Sequence, residues 1–388
     1  MSKTLPRFRD DCRRDGLVCV PHSDCFNTKE LIKNRTAIPC GFRDEILQKD
    51  VKICCNPSYT PNGPTNSSTT SQKISELSTT SATPKHTPNP KNSTAVALQK
   101  CQEYAKYQYE TEWIESQLPG EEGHNVTIRD CPSTSLLLPV GIEPPRAKEY
   151  PHMALIGYGK EFKNVSWNCE GTLISEKYIM SAAHCSATSV LGQPRWALLG
   201  DFILPMWNDD AKPKAYSIVK VHNHPNFKFP SFNYDISLFE LNDTVAFNPF
   251  VRPACLYTSQ ADLLINRIVY VTGWEKKNRG EETTGGLLKS AVAIADHQKC
   301  RTAFKVGNST GYDSNTMICA DIVENLGRNT CEGISGGPIQ IHKPDEACTW
   351  DIIGIASRGP GICGNEADSG VYTKVTYYLD WIQSIVWP

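Results

Sequence analysis

The chain has 388 residues, with 40 Lys and Arg set against 42 Asp and Glu for a formal net charge of −2. That length exceeds one small domain and suggests two or three units; the charge balance leaves no footprint for nucleic acid, and no apolar run approaches the ~20 residues that span a bilayer. Sixteen cysteines, none in C-x-x-C spacing, argue for a disulfide framework over a zinc site, and so for an oxidising, extracellular compartment.

Residues 12–55 hold six cysteines, Cys12, Cys19, Cys25, Cys40, Cys54 and Cys55. A unit this short buries too little apolar surface to fold on its core alone, so bridges replace the core. Six cysteines allow fifteen pairings, and spacing chooses none of them. Residues 56–100 are rich in Ser, Thr, Pro, Asn and Lys, which cannot offset their ordering entropy; they read as a flexible linker of the kind that carries O-glycans. Residues 101–138 differ. A short helical stretch begins at Cys101-Gln102-Glu103-Tyr104, and Cys131 lies close to the next domain, 139–388.

From Pro151 onward, short Val/Ile/Leu-rich runs separated by Gly, Pro and Asn predict an all-β domain, with Ile268–Thr272 and Ile352–Ile355 as examples. Tyr377 to Trp387 reads as an amphipathic helix with Trp381 and Ile382 facing inward. Seven N-x-S/T sequons, at Asn34, Asn66, Asn92, Asn125, Asn164, Asn242 and Asn308, fit secretion. The start, Met1 to Phe8, has no apolar h-region, so no signal peptide is visible, and the cysteines outweigh it in the assignment.

Three segments carry chemistry: Ser181-Ala182-Ala183-His184-Cys185, Tyr234-Asp235-Ile236-Ser237-Leu238, and Cys331-Glu332-Gly333-Ile334-Ser335-Gly336-Gly337-Pro338. A serine hydroxyl is a poor nucleophile until an imidazole takes its proton, and the imidazole needs a buried carboxylate to fix its tautomer. His184, Asp235 and Ser335 supply these types in the order His, Asp, Ser. The segments resemble the histidine, aspartate and serine motifs of chymotrypsin-like serine proteases. The cysteine-rich start, ending in the adjacent Cys54-Cys55 pair, resembles the clip domain of arthropod clip-domain serine proteases and their homologues, in the subgroup with Leu before the activation bond. An unrelated knottin-like module is the alternative for residues 12–55. His222 and His224 read as surface or loop residues, and no histidine pair has metal-ligand spacing.

The resemblance implies a chymotrypsin-like double antiparallel β-barrel with a C-terminal helix, preceded by the clip domain. It implies an oxyanion hole from the N–H groups of Gly333 and Ser335, where one such donor typically contributes ~3–4 kcal/mol to the transition state. It places Asn329 at the floor and Gly359 and Gly370 in the wall of a specificity pocket, which a neutral amide would not tune to basic side chains. It implies Cys169–Cys185, Cys300–Cys319 and Cys331–Cys363 bridges and a tether from Cys255 to Cys131, leaving Cys101 and Cys348 to pair.

The chain departs from the family pattern at several positions. Ile334 stands where the family has Asp. Pro139-Val140-Gly141-Ile142, after Leu138, stands where cleavage frees Ile-Val-Gly-Gly, and proline has no N–H and hinders peptidases. A buried carboxylate without its partner is costly, so Ile334 reads as an apolar plug in an emptied socket. Glu170 and Glu275 replace usual glycines and read as tolerated surface changes.

The expectation is a secreted serine endopeptidase of an immune, melanisation or developmental cascade, working through an acyl-enzyme. The alternative is an impaired homologue acting as binding cofactor or decoy. Partners would be protein substrates, partner proteases and serpin-type inhibitors. No cofactor or metal is expected: Asp201, Asp209 and Asp210 lie where some relatives bind calcium, yet without EF-hand spacing they read as a solvated loop.

Overall fold

The computed structural model describes residues 18–21, 52–55, 90–116, 122–129, 145, 148–187, 192–201, 204, 213–259, 263–276, 283–306, 309–322, 335–343, 349–359 and 369–388. The chain divides into two units, Met1–Lys85 and His86–Pro388. In the first, antiparallel strands β1 (Val18–Pro21) and β2 (Lys52–Cys55) set Cys19 opposite Cys54 and Val18 opposite Cys55. Cys12, Cys25 and Cys40 lie outside the described residues.

The second unit opens with helix α1 (Pro90–Ala105). Residues 90–100, expected as linker, are therefore helical, and the helix does not wait for Cys101. Ala97, Cys101 and Tyr104 recur at i, i+4 and i+7 and are buried along one stripe, which an average over composition conceals. Strands β3 (Tyr109–Ile114) and β4 (His124–Arg129) follow as an exposed antiparallel hairpin.

Strands β5 (Met153–Tyr158), β6 (Ser166–Leu173), β7 (Tyr178–Ser181), β8 (Pro194–Leu199), β9 (Lys214–Asn223) and β10 (Ser237–Leu241) close a barrel in the order β10-β7-β6-β5-β8-β9. Next come β11 (Cys255–Leu256), β12 (Ile268–Lys276), β13 (Thr283–Ile294), helix α2 (His297–Ala303) and the small pair β14 (Lys305–Val306) and β15 (Ser309–Thr310). Strands β16 (Met317–Ile322), β17 (Pro338–His342), β18 (Trp350–Arg358) and β19 (Gly370–Lys374) complete a sheet in the order β11-β18-β17-β12-β13-β16-β19. Pairing of β18 with β19 closes six of these strands into a second barrel, with β11 lying parallel along β18.

Side-chain alternation divides each wall between a barrel interior and the seam between barrels. In β5, Ala154, Ile156 and Tyr158 enter the first core, while Met153 and Leu155 face the seam. In β12, Val269 and Val271 fill the second core, and Tyr270 and Trp274 turn to the seam. Strands buried on both faces read as continuous apolar runs, which is why Ile268–Thr272 and Ile352–Ile355 stood out in the sequence. Helix α3 (Leu379–Val386) buries Leu379, Ile382 and Val386, while Trp381 is half-buried beside His224.

Disulfides join Cys169 to Cys185 and Cys300 to Cys319. The third bridge corrects an expectation: Cys255 is bonded to Cys101, so neither the Cys255–Cys131 tether nor a Cys101–Cys348 pair forms. Helix α1 lies against β11, which brings the two Cα atoms to 4.9 Å, inside the reach of a disulfide. Cys131, Cys331, Cys348 and Cys363 lie outside the described residues.

Candidate active site

His184 sits in a short 3-10 turn, Ala183–Ser186, directly after β7. Asp235 stands two residues before β10, and Ser335 three residues before β17. Strand ends of both barrels thus deliver the three residues to one place.

Asp235 is fully buried and fully engaged. Its Oδ1 accepts the His184 backbone N–H at 2.8 Å, and its Oδ2 takes His184 Nδ1 at 2.7 Å. Ser357 Oγ donates to the same Oδ2 at 2.5 Å, and Thr373 Oγ1 donates to the Asp235 carbonyl at 2.8 Å. With an acceptor oxygen at Nδ1, the neutral imidazole that fits this geometry carries its proton there and its lone pair on Nε2. Phe232 packs edge-on to the His184 ring, with centroids 6.1 Å apart. Tyr234, just before Asp235, holds φ at 59°, an unusual setting for an aromatic residue, and its ring stacks on His224 at 5.1 Å.

The Ser335 segment is stitched to both barrels. The Ser335 carbonyl accepts the Glu170 N–H of β6 at 2.9 Å, and Cys185 Sγ lies 3.6 Å from the same oxygen. On the other side, Gly336 N–H donates to the Ala356 carbonyl at 2.9 Å, and Ala356 N–H returns to Gly337 at 2.8 Å. Gly336 has φ of 82°, and a Cβ there would collide with Ser181 Oγ and the Glu170 carbonyl. Glycine after Ser335 is a steric requirement of this fold.

The pocket is described only in part. A Cβ at Gly359 would meet open space, whereas one at Gly370 would press on the Tyr372 ring at 3.1 Å. The Arg358 guanidinium lies between Phe232, at 5.1 Å, and Phe304, at 4.9 Å. Gly333, Ile334, Asn329, Leu138 and Pro139 fall outside the described residues, as do Asp209, Asp210 and the side chain of Glu275.

Three sequence readings need correction. Glu170 is no surface change: it is 1% exposed, in the run Cys169–Leu173 that is buried throughout. Asp201 is buried, not part of a solvated loop. His222 belongs to strand β9 and bonds Glu240 at 3.0 Å, whereas His224 does lie on a loop, half-buried among Tyr234, Tyr378 and Trp381. Sequence reasoning also missed His152, 1% exposed, whose imidazole burial depresses to a pKa of about 3, and the support that Ser357 and Thr373 give Asp235. The only sign of His152 was its place beside an apolar strand. Two clusters of candidate metal ligands, Cys169–His184–Cys185 and Cys101–Cys255–Asp351, are each built on a disulfide, whose sulfurs are already spent.

Residues 139–382 match the family model described as Trypsin. Among similar proteins are Serine protease Hayan of Drosophila melanogaster, 32% identical over 62% of this chain and 37% of that protein, and Phenoloxidase-activating enzyme 1 of Spodoptera litura, 31% identical over 61% and 64%. CLIP domain-containing serine protease B4 of Anopheles gambiae is 31% identical over 64% of this chain and 70% of its own length. The chain thus spans well under two thirds of the first of these relatives and just under two thirds of the second.

Proposed function

Since this chain belongs to the trypsin family of serine proteases, we propose that it is a secreted clip-domain endopeptidase of an extracellular proteolytic cascade. Its nucleophile is Ser335, its general base His184 and its orienting carboxylate Asp235. The bond from the half-buried His184 to the fully buried Asp235 carries this reading, because it orients the imidazole through Nδ1 beside the segment that holds Ser335. Ser335 Oγ adds to the scissile carbonyl as His184 Nε2 takes its proton, and Asp235 stabilises the imidazolium. The N–H groups of Gly333 and Ser335 hold the oxyanion. The proton then passes to the departing amine as the C–N bond breaks, and water repeats the sequence on the acyl-enzyme.

The chain's resemblance to a clip-domain protease and to a relative named for activating phenoloxidase supports a cascade role with protein substrates and serpin-type inhibitors. Asn329, with a neutral amide, disfavours a preference for Arg or Lys. Among the described residues no helix is long and apolar enough to cross a membrane.

Ile334 and Pro139 favour a second reading, in which the fold acts as a non-catalytic partner that binds a true protease or its substrate. A fluorophosphonate probe on the purified chain separates the two. Labelling at Ser335 that His184→Ala abolishes supports the enzyme. No labelling, before or after exposure to arthropod plasma proteases, assigns the binding role.

A further inference from the structure

Glu170 is the largest discrepancy between expectation and fold: a carboxyl side chain 1% exposed, one strand behind the nucleophile. Three of its bonds join three parts of the molecule. Strand β6 pairs with β7 only at Thr172 and Leu173, so its edge is open further back, and there the Glu170 N–H binds the Ser335 carbonyl at 2.9 Å. Ser181 Oγ, at the start of the histidine loop, donates to the Glu170 carbonyl at 2.6 Å. The side chain crosses the seam, and Oε1 accepts the Trp274 N–H at 2.6 Å. Trp274 lies past the point where β17 leaves β12, since those strands pair only at Tyr270 and Val271. The carboxyl oxygen therefore acts as a strand partner between barrels, in the place a backbone carbonyl would take.

We propose that Glu170 is a positioning residue for Ser335, a carboxylate bracket that locks the nucleophile segment, the histidine loop and β12 into one arrangement. Burial of a carboxyl group is expensive, and this one lies where two barrels meet behind the reactive serine. In a chain with Ile334 next to that serine, Glu170 supplies a buried acidic group from the neighbouring strand. The proposal rests on the reading of Ser335 as nucleophile, and two readouts keep the ideas apart.

The first readout, hydrogen exchange of the full chain, needs no catalysis. In Glu170→Ala, peptides containing Trp274 and Ser335–Gly337 should lose protection about tenfold or more relative to strands β8 and β9; unchanged protection would overturn the bracket. The second is the rate of fluorophosphonate labelling per folded molecule across pH. Glu170→Ala should lower the plateau rate about tenfold or more without moving the midpoint, since small displacements of a reacting group are costly. Glu170→Gln, which keeps an acceptor oxygen, should return to within about threefold of wild type. A purely structural role would lower the melting temperature and leave the rate per folded molecule unchanged. Should Glu170→Ala fail to fold, Glu170→Asp, one methylene too short to reach Trp274, takes its place in both measurements. A wild type that never labels, with exchange faster in the variant, would remove the nucleophile and keep the bracket. A wild type that labels, with the variant indistinguishable in both readouts, would do the reverse.

Discussion

His152 shows how much a single buried side chain ties this fold to pH. Burial holds its imidazole neutral, with a folded pKa of about 3 against an unfolded 6.5. Between those values the unfolded chain binds the extra proton, so the stabilisation is complete above pH 6.5 and is lost as pH falls toward 3. At pH 5 the loss from this residue is on the order of 2 kcal/mol. Melting temperatures at pH 7.5 and pH 5 should differ less for His152→Gln than for the wild type. Equal pH slopes would show that the imidazole is already charged in the fold. Gly336 tests sterics instead. In Gly336→Ala, positive φ and the collision with Ser181 and Glu170 should together cost about 2–4 kcal/mol and suppress Ser335 labelling, as measured by denaturant melts and the fluorophosphonate probe.

Among the elements, α1 is the one whose role was least evident in advance. Tyr104 donates to Glu176 at 3.0 Å and accepts from Trp387 Nε1 at 3.3 Å, while Tyr104 and Tyr107 both meet the Phe247 ring edge-on. With Cys101 bonded to Cys255, the segment before the protease domain is held both by packing and by a covalent link. A cut between residues 131 and 150 should therefore leave this segment attached in non-reducing gels and free it on reduction. Non-reducing peptide mapping should find Cys101 joined to Cys255; a Cys131–Cys255 peptide would refute that pairing. Tyr104→Phe should lower stability by about 1 kcal/mol, the value of an ordinary buried hydrogen bond, in urea unfolding.

For the whole molecule, the question is what orders the segment around Ser335 in a chain with Ile334 where the family pattern has Asp. The sequence reads Ile334 as an apolar plug and Pro139 as a site that offers no liberated partner, and a substitution tests both. Ile334→Asp should then lower the melting temperature and fail to raise labelling of Ser335, because it would bury an unpaired carboxylate. A higher melting temperature or renewed activity would argue that the socket still accepts an ion pair. N-terminal sequencing of the protein from its native source would show directly whether any bond between Cys131 and Pro151 is cut.

The sequence by itself determined the class of fold and the identity of the three catalytic candidates. Local signals carried them: doubly buried strands form apolar runs, and His184, Asp235 and Ser335 sit in short motifs whose neighbours also recur. Tertiary structure alone decided the rest. That Glu170 is interior depends on a seam between strands more than a hundred residues apart, and Ser357 and Thr373 serve Asp235 from the far barrel. Cys101 meets Cys255 because a helix docks across a sequence separation of 154. Contacts of that range leave no periodicity in the chain, since they are set by how closed barrels face each other.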